Sequence, residues 1–345
     1  LEFGRRYQPK LHLIGTSPAP QIEPAGRDLS DEGMKTLKAS IVERARREGL
    51  SQEVPAEAWK RVEKAIEIDR TLRAFQAAGI KATYHACDVS DRSALDQVLE
   101  KVRRADGPIE GILHAAGIDN SCRFERKQRE LSRATIAAKI VGASNLMALC
   151  RRDPVRHFIG FGSVSGRLGG NGQVDYSLAS DMLAKLIDWY QAERPSCRAT
   201  CFHWSAWDEV GMATRPAVRL TLQMAKRRLI PKREGVEHFL REVAAGLPEN
   251  EVLLAGWQYY EDFYGRKAVS ETSPSPREER RHRRHVLRMC DARLPHEVSF
   301  TAPIDGPVFL LGDNPSAQAL DERLAGRGID VHRLPIHDSA GATIA

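Results

Sequence analysis

The sequence predicts a doubly wound parallel α/β sheet, on three observations. Short apolar runs recur along the chain: KLHLIG (10–15), KATYHACDV (81–89), Ile109–His114, Phe158–Ile159, TCFHW (200–204) and EVLLAGW (251–257). Runs of that length and continuity suit strands buried on both faces. Between them, alanine, leucine and isoleucine recur at three- and four-residue steps, the period of an amphipathic helix. Several runs end in glycine or alanine turns, as strand-to-helix connections do.

In order, residues 1–9 read as the end of a helix broken by Pro9, and KLHLIG as a short strand. Residues 19–78 are too long for a simple connection, so a helical insertion is expected, with helices near 31–48 and 56–78. It would serve as a docking surface or as a cover for one sheet edge. Gly79 closes its second helix before KATYHACDV returns as a strand, and a helix over 91–104 follows. Ile109–His114 is a buried strand, at whose end Ala115-Ala116-Gly117 keeps side chains small. The next helical segment carries Lys139, with Ala137, Ala138, Val141 and Leu146 on its apolar side. After Phe158–Ile159 comes GFGSVSGRLGGNGQVDYSLAS (160–180), with a long helix from Tyr176 to Tyr190. EGVEHFLREVAAG and EVLLAGW supply the last helix and strand of the domain.

Ser163 at a strand end and Tyr176 at a helix start can converge on one volume at the carboxyl ends of the strands. Open α/β sheets bind ligands there. Ser163 can donate a hydrogen bond to a carbonyl oxygen while Tyr176 delivers a proton to it. A tyrosine, whose pKa is ordinarily about 10, does this at neutral pH only beside a cation. Lys139 is the candidate. Singly, such residues are a cap, a packing ring and a solvated amine; their combination points to chemistry.

Tyr176 lies thirteen residues after Ser163, and Lys139 twenty-four before it. This set resembles that of the ketoreductase domains of modular and iterative polyketide synthases, relatives of the short-chain dehydrogenases/reductases in which the lysine precedes the serine. YHACDVSDRSAL (84–95), GPIEGILHAAGI (107–118), AAKIVGASNLMAL (137–149), FGSVSGRLGGNGQVDYSLASDML (161–183) and HWSAWDEVGMA (203–213) carry the resemblance. It is nearest to the polyunsaturated-fatty-acid and enediyne type. The resemblance implies a Rossmann-like sheet, NADPH as cofactor, and a β-ketoacyl thioester on an acyl carrier protein as substrate. Neighbouring synthase domains would be further partners. It implies catalytic roles for Lys139, Ser163, Tyr176 and Ser180, the last standing where the family has asparagine. Cofactor contacts would come from Gly15, Thr16, Ser17, Asp88, Val89, His114, Ala115, Ala116 and Gly117, together with Lys139 and Tyr176.

Some positions depart from the family. Where it has Gly-Arg-Ser or Gly-Arg-Thr to meet the ribose phosphate, this chain has Gly15-Thr16-Ser17-Pro18. Threonine has no guanidinium fork, so Arg5, Arg6 or Lys10 would have to substitute. Asp88 would contact the adenine or cap the following helix, a task Ser90 or Asp91 could do equally. The family's stereochemical signatures are not intact at Asp119-Asn120-Ser121 or at Leu168, so the alcohol configuration stays open. The match begins partway along a first helix. A fragment lacking the first strand and its glycine-rich loop is therefore expected.

The 345 residues carry a formal charge of +6, and the mean hydropathy is −0.42. No apolar stretch is long enough for a membrane span, and no signal peptide begins the chain. The six cysteines, at 87, 122, 150, 197, 201 and 290, lack zinc-site spacing and suggest free thiols in the cytoplasm. The basic residues are spread out, against a nucleic-acid-binding face. The expected division is a ketoreductase domain over 1–262, a linker over 263–300, and the start of a further α/β domain over 301–345. Within the linker, VSETSPSPREERRHRRH (269–285) would be a solvated tether or a contact for an acidic partner. Residues 214–229 would be a substrate lid suited to an acyl chain, or an ordinary amphipathic surface. The expected function is NADPH-dependent reduction of a carrier-bound β-ketoacyl thioester. The rivals are an inactive structural domain of a synthase and a free-standing short-chain dehydrogenase.

Overall fold

Each of the six apolar runs forms a strand. The computed structural model describes residues 1–20, 29–51, 53–224, 227–246, 248–256, 283–286, 308–311, 315–326 and 331–334. It contains two compact units, Leu1–Arg288 and Met289–Ala345. The first begins with α1 (Glu2–Tyr7), β1 (Leu11–Gly15), α2 (Asp31–Arg47), α3 (Glu53–Ala77), β2 (Ala82–Ala86), α4 (Arg92–Asp106) and β3 (Gly111–His114). It continues through α5 (Arg129–Ile136), a π-helical turn (Ala137–Val141), α6 (Gly142–Leu149), β4 (His157–Ser163), α7 (Ser165–Leu168) and α8 (Val174–Glu193). It ends with β5 (Arg198–Trp204), α9 (Pro216–Met224), α10 (Lys232–Ala245), β6 (Glu251–Ala255) and β7 (Arg283–Val286).

β1 and β2 pair in parallel, Leu11 against Ala82 through Gly15 against Ala86. The order β3-β4-β5-β6-β7 makes a second sheet, parallel except for β7 at its edge. Among the described residues no strand joins β1 to β3. β7 lies inside the stretch expected to be a linker. It adds antiparallel to β6, with Val252 opposite Val286 and Ala255 opposite Arg283, which satisfies the edge of an otherwise buried strand. β3 begins at Gly111 rather than Ile109, because the Ile109 N–H donates to Asp153 Oδ1 at 3.1 Å.

Helices cover both faces of the sheet, and strand alternation sorts the side chains between them. Phe158, Ala199 and Cys201 meet Leu95 and Leu99 of α4, Leu146 of α6, and Leu183 and Ile187 of α8. Ile159, Phe202, Trp204, Val252 and Leu254 face Ile230 and Phe239 on the other side. The insertion is helical, as its periodicity predicts: the Ser30 hydroxyl caps α2 by accepting from the Gly33 N–H, and Ile66, Ile68 and Phe75 of α3 are buried. In the second unit β8 (Val308–Leu311), α11 (Pro315–Ala325) and β9 (Val331–Leu334) form a parallel strand–helix–strand unit. The chain is a Rossmann-like, doubly wound α/β protein. Among the described residues no helix is long and apolar enough to cross a membrane.

α8 sits directly on β4 at Gly160, where a Cβ would stand 2.3 Å from Ile187 Cδ1, itself fully buried. Gly160→Ala is therefore expected to overpack this contact, at a cost of about 1–3 kcal/mol. A denaturant titration should show a lower midpoint with an unchanged slope. An unchanged midpoint would mean that α8 does not seat on β4 this way.

Candidate functional site

β4 delivers Ser163 to its carboxyl end, and the short α7 turns the chain back towards α8. The Ser165 N–H and hydroxyl both donate to Ser163 Oγ, at 3.2 and 2.9 Å. The Ser163 hydroxyl proton is left free of these two donors, and the hydroxyl favours the phenolate form of Tyr176. Tyr176 is 6% exposed. Burial, and then the Asp119 charge, push its phenol up to about 12, with the Ser163 hydrogen bond working in the opposite direction. Lys139 is expected to hold Tyr176 below its ordinary value; in this arrangement burial raises the phenol instead.

The first turn of α8 is clamped. Asp175 accepts from Lys127 Nζ at 2.6 Å, the Ser132 hydroxyl at 2.8 Å and the Tyr176 N–H at 2.9 Å. Burial opposes its charge, but these donors outweigh it and hold the carboxyl below the usual range. Buried Asp119 accepts from Ser121 at 2.6 Å and Gln173 at 3.0 Å, while its backbone carbonyl accepts from Arg215 at 3.2 Å. The loop after β3, the glycine-rich turn and the chain at Arg215 thus meet at Asp119, whose charge acts on Tyr176.

Lys139 lies in the π-helical turn, a widened turn of the kind that often marks functional positions. His114 Nε2 donates to the Lys139 carbonyl at 2.9 Å and so fixes that turn. Burial pushes the His114 imidazole down to about 4. The resemblance implies a cofactor contact for His114; the alternation of β3 turns Ile112 and His114 into the protein, and His114 is not among the residues lining the cleft at these strand ends. The Lys139 ammonium donates to the Phe161 carbonyl at 2.7 Å and lies 5.3 Å from the centre of the Tyr176 ring. It is 3% exposed, and burial pushes it down to about 8. Among the described residues no carboxylate pairs with it.

Beneath Ser163 lies a second buried group that sequence reasoning missed. His203, fully buried, donates from Nδ1 to the Ser163 carbonyl at 3.1 Å, and its Nε2 meets Glu251 Oε2 at 3.0 Å. Glu251 also takes Lys185 at 2.9 Å and Arg167, and Arg167 holds Asp181 at 2.5 Å. Burial opposes the Glu251 charge, yet His203, Lys185 and Arg167 outweigh it and hold the carboxyl far below its usual range. The only local signal was a histidine and a glutamate inside apolar runs.

A cleft of about 540 Å³ is lined by Gly15, Thr16, Ser17, Asp88, Val89, Ala115, Ala116 and Gly117. Strand ends far apart in sequence are thereby brought together. Lys64, Glu67, Ile68 and Thr71 of α3 complete its wall, and sequence reasoning did not find them. Tyr84 pins the turn after β1 by donating to the Ser17 carbonyl at 2.7 Å. Asp91, accepting from the Ala94 N–H, caps α4, so Asp88 is not the cap; its Oδ1 accepts from the Ser90 N–H and hydroxyl. Small residues, an exposed carboxylate and hydroxyl groups fit the adenosine side of a dinucleotide. Gly117 leaves open the position where a Cβ would stand 3.3 Å from Lys139 Cε, so backbone and lysine approach one another. Ser180, by contrast, has a buried hydroxyl with no hydrogen bond to Lys139, Ser163 or Tyr176. It packs against Gly166, where a Cβ would lie 3.0 Å from Ser180 Cβ, which leaves little room for the family's asparagine.

Comparison with known proteins bears on what this geometry belongs to. The family described as KR domain matches residues 32–209, just over half of the chain. A polyunsaturated fatty acid synthase polypeptide of Thraustochytrium sp. is 29% identical over 261 residues, 72% of this chain and 9% of that protein. Erythronolide synthase EryA3 of Saccharopolyspora erythraea is 32% identical over 202 residues, 58% of this chain and 6% of its own. The chain thus spans less than a tenth of these relatives. A ketoreductase domain from the bacillaene assembly line superposes with a TM-score of 0.53 at 20% identity, covering 76% of this chain and 54% of that one. PlmKR1, a ketoreductase from phoslactomycin biosynthesis in Streptomyces sp. HK803, gives 0.51 at 24% identity, covering 61% and 46%. At these identities the structures bear on the fold alone. Sequence match and architecture agree: the chain belongs to the KR domain family, that of ketoreductase domains.

Proposed function

We propose that this domain reduces a β-ketoacyl thioester, tethered to an acyl carrier protein, to the β-hydroxyacyl form with NADPH. The observation that carries the reading is the buried Tyr176 ring 5.3 Å from a buried ammonium that no described carboxylate neutralises. The bound nicotinamide would supply the hydride. Gly15, Thr16, Ser17, Asp88 and Val89 would hold its adenosine side, and Ala115, Ala116 and Gly117 would lie along its length towards Lys139.

Tyr176 donates its phenol proton to the oxygen of the ketone as charge develops there. Ser163, whose oxygen is already held by Ser165, donates a hydrogen bond to the same oxygen. Because burial keeps the phenol protonated through the neutral range, the proton donor is always loaded. What it needs is stabilisation of the phenolate it leaves behind, and the Lys139 charge beside the ring supplies that. His203, holding the Ser163 carbonyl against Glu251, keeps the end of β4 in register with α8. An open cleft of about 690 Å³, lined by Val174 and Ser177 of the first turn of α8 and by Cys122–Glu125, offers the acyl chain an approach. The family relatives are synthases, which supports a carrier-bound substrate and neighbouring synthase domains as partners.

Tyr176→Phe should lower kcat about 100- to 10,000-fold, while the NADPH dissociation constant changes less than about twofold. Near-normal turnover of a β-ketoacyl thioester by this variant would overturn the assignment. No turnover and no cofactor binding by the folded wild-type protein would favour a structural role.

Lys139→Met separates function from stability. The ammonium falls from 10.5 to about 8 on folding, so its burial costs stability in full below pH 8. That cost fades as pH rises from about 8 to about 10.5, because the native lysine loses its proton first. The variant should therefore be more stable than wild type by about 1–3 kcal/mol at pH 7, by less at pH 9, and inactive. Denaturant midpoints at the two pH values check this; a destabilised variant would make Lys139 a structural residue.

A further inference from the structure

One wall of the cofactor cleft comes from the insertion. Lys64, Glu67, Ile68 and Thr71 recur at i, i+3, i+4 and i+7, so a single face of α3 turns into the cleft that Gly15, Thr16 and Ser17 also line. Ile66, Ile68 and Phe75 are buried and fix that helix in place. Among the described lining residues Lys64 is the sole basic side chain. The other cations near β1 are placed elsewhere. Lys10 pairs with Asp106 at 3.1 Å, Arg5 with Glu2 at 2.6 Å, and Arg6 lies over the Tyr7 ring; none of the three lines the cleft.

Lys64 Nζ lies 2.8 Å from Glu67 Oε2, and the two side chains are 52% and 65% exposed. An ion pair so open to solvent is worth no more than about 1 kcal/mol, so Lys64 exchanges partners readily. A doubly charged phosphate is a better partner than one carboxylate, and the turn after a strand such as β1 is where nucleotide sites distinguish a ribose 2′-phosphate from a free hydroxyl.

We infer that Lys64 forms a subsite for a phosphomonoester on the adenosine ribose, swinging from Glu67 to the phosphate and supplying the cation that Thr16 does not. The subsite rests on the nicotinamide-dependent reading above. Thr16 and Ser17 offer hydroxyl groups to the same phosphate, and Glu67 acts as the counter-ion that holds Lys64 in the cleft until the phosphate arrives.

Calorimetric titration of the protein with 2′,5′-ADP and with 5′-AMP tests the subsite without turnover. Wild type should bind 2′,5′-ADP at least about tenfold more tightly than 5′-AMP, equivalent to ~1.4 kcal/mol. In Lys64→Ala that preference should fall below about threefold through loss of 2′,5′-ADP affinity, with 5′-AMP affinity unchanged. Glu67→Gln, which removes the competing carboxylate, should strengthen 2′,5′-ADP binding. A preference that survives in Lys64→Ala overturns the subsite and leaves the reductase reading standing. A wild type that binds neither nucleotide, nor NADPH, overturns the reductase reading itself.

Discussion

Among the described residues the Lys139 ammonium is a buried charge without a counter-ion, and the geometry of the site is arranged around it. Burying an ammonium is expensive, and proteins ordinarily pair it or neutralise it. Here the surroundings give it one carbonyl, that of Phe161, and the face of the Tyr176 ring. His114 holds the backbone of the turn that carries it, and Gly117 lets the strand-end chain come against its stem. An unsatisfied charge of this kind is useful where a negative charge appears, and under the proposed reaction that would be the phenol beside it.

Glu251 is the contrasting case a few residues away in space. It is buried too, but His203, Lys185 and Arg167 surround it. A fully paired cluster has nothing left to offer a ligand, and its effect is to tie β4, β5, β6, α7 and α8 at one point under Ser163. The two buried charges differ: the satisfied one ties strand ends together, and the unsatisfied one is, on the proposed reading, kept for chemistry.

The strands, the helical insertion and the placement of Ser163 at a strand end and Tyr176 at a helix start were legible because local patterns encode them: apolar runs, helical period, and a strand–turn–helix of fixed spacing. Contacts between distant segments were not. Glu251 meets His203 across 48 residues, and nothing near either residue marks the other as a partner. The face of α3 that reaches the cleft was also hidden, since helical period shows that a face exists but not what it meets. The burial of His114 was hidden for a different reason. Proximity to the small-residue turn suggested the cofactor, whereas strand alternation, with Ile112 and His114 buried and Gly111 and Leu113 exposed, sends it inward. For Ser180 the pattern carried a role that packing against Gly166 does not support.

The insertion, longer than any connection the sheet requires, closes one side of the cleft at the ends of β1, β2 and β3, whereas Ser163 and Tyr176 come from β4 and α8. What binds them into one account is the state of Lys139. Its ionisation can be followed directly by NMR of the protein labelled at lysine side chains, with Lys139→Met assigning the resonance. Titration near pH 8 is the expected result and would establish a buried, unpaired ammonium poised beside Tyr176. A Lys139 that stays protonated past pH 10, as ordinary lysines with a pKa of about 10.4 do, would show that its charge is solvated or paired and would contradict the account.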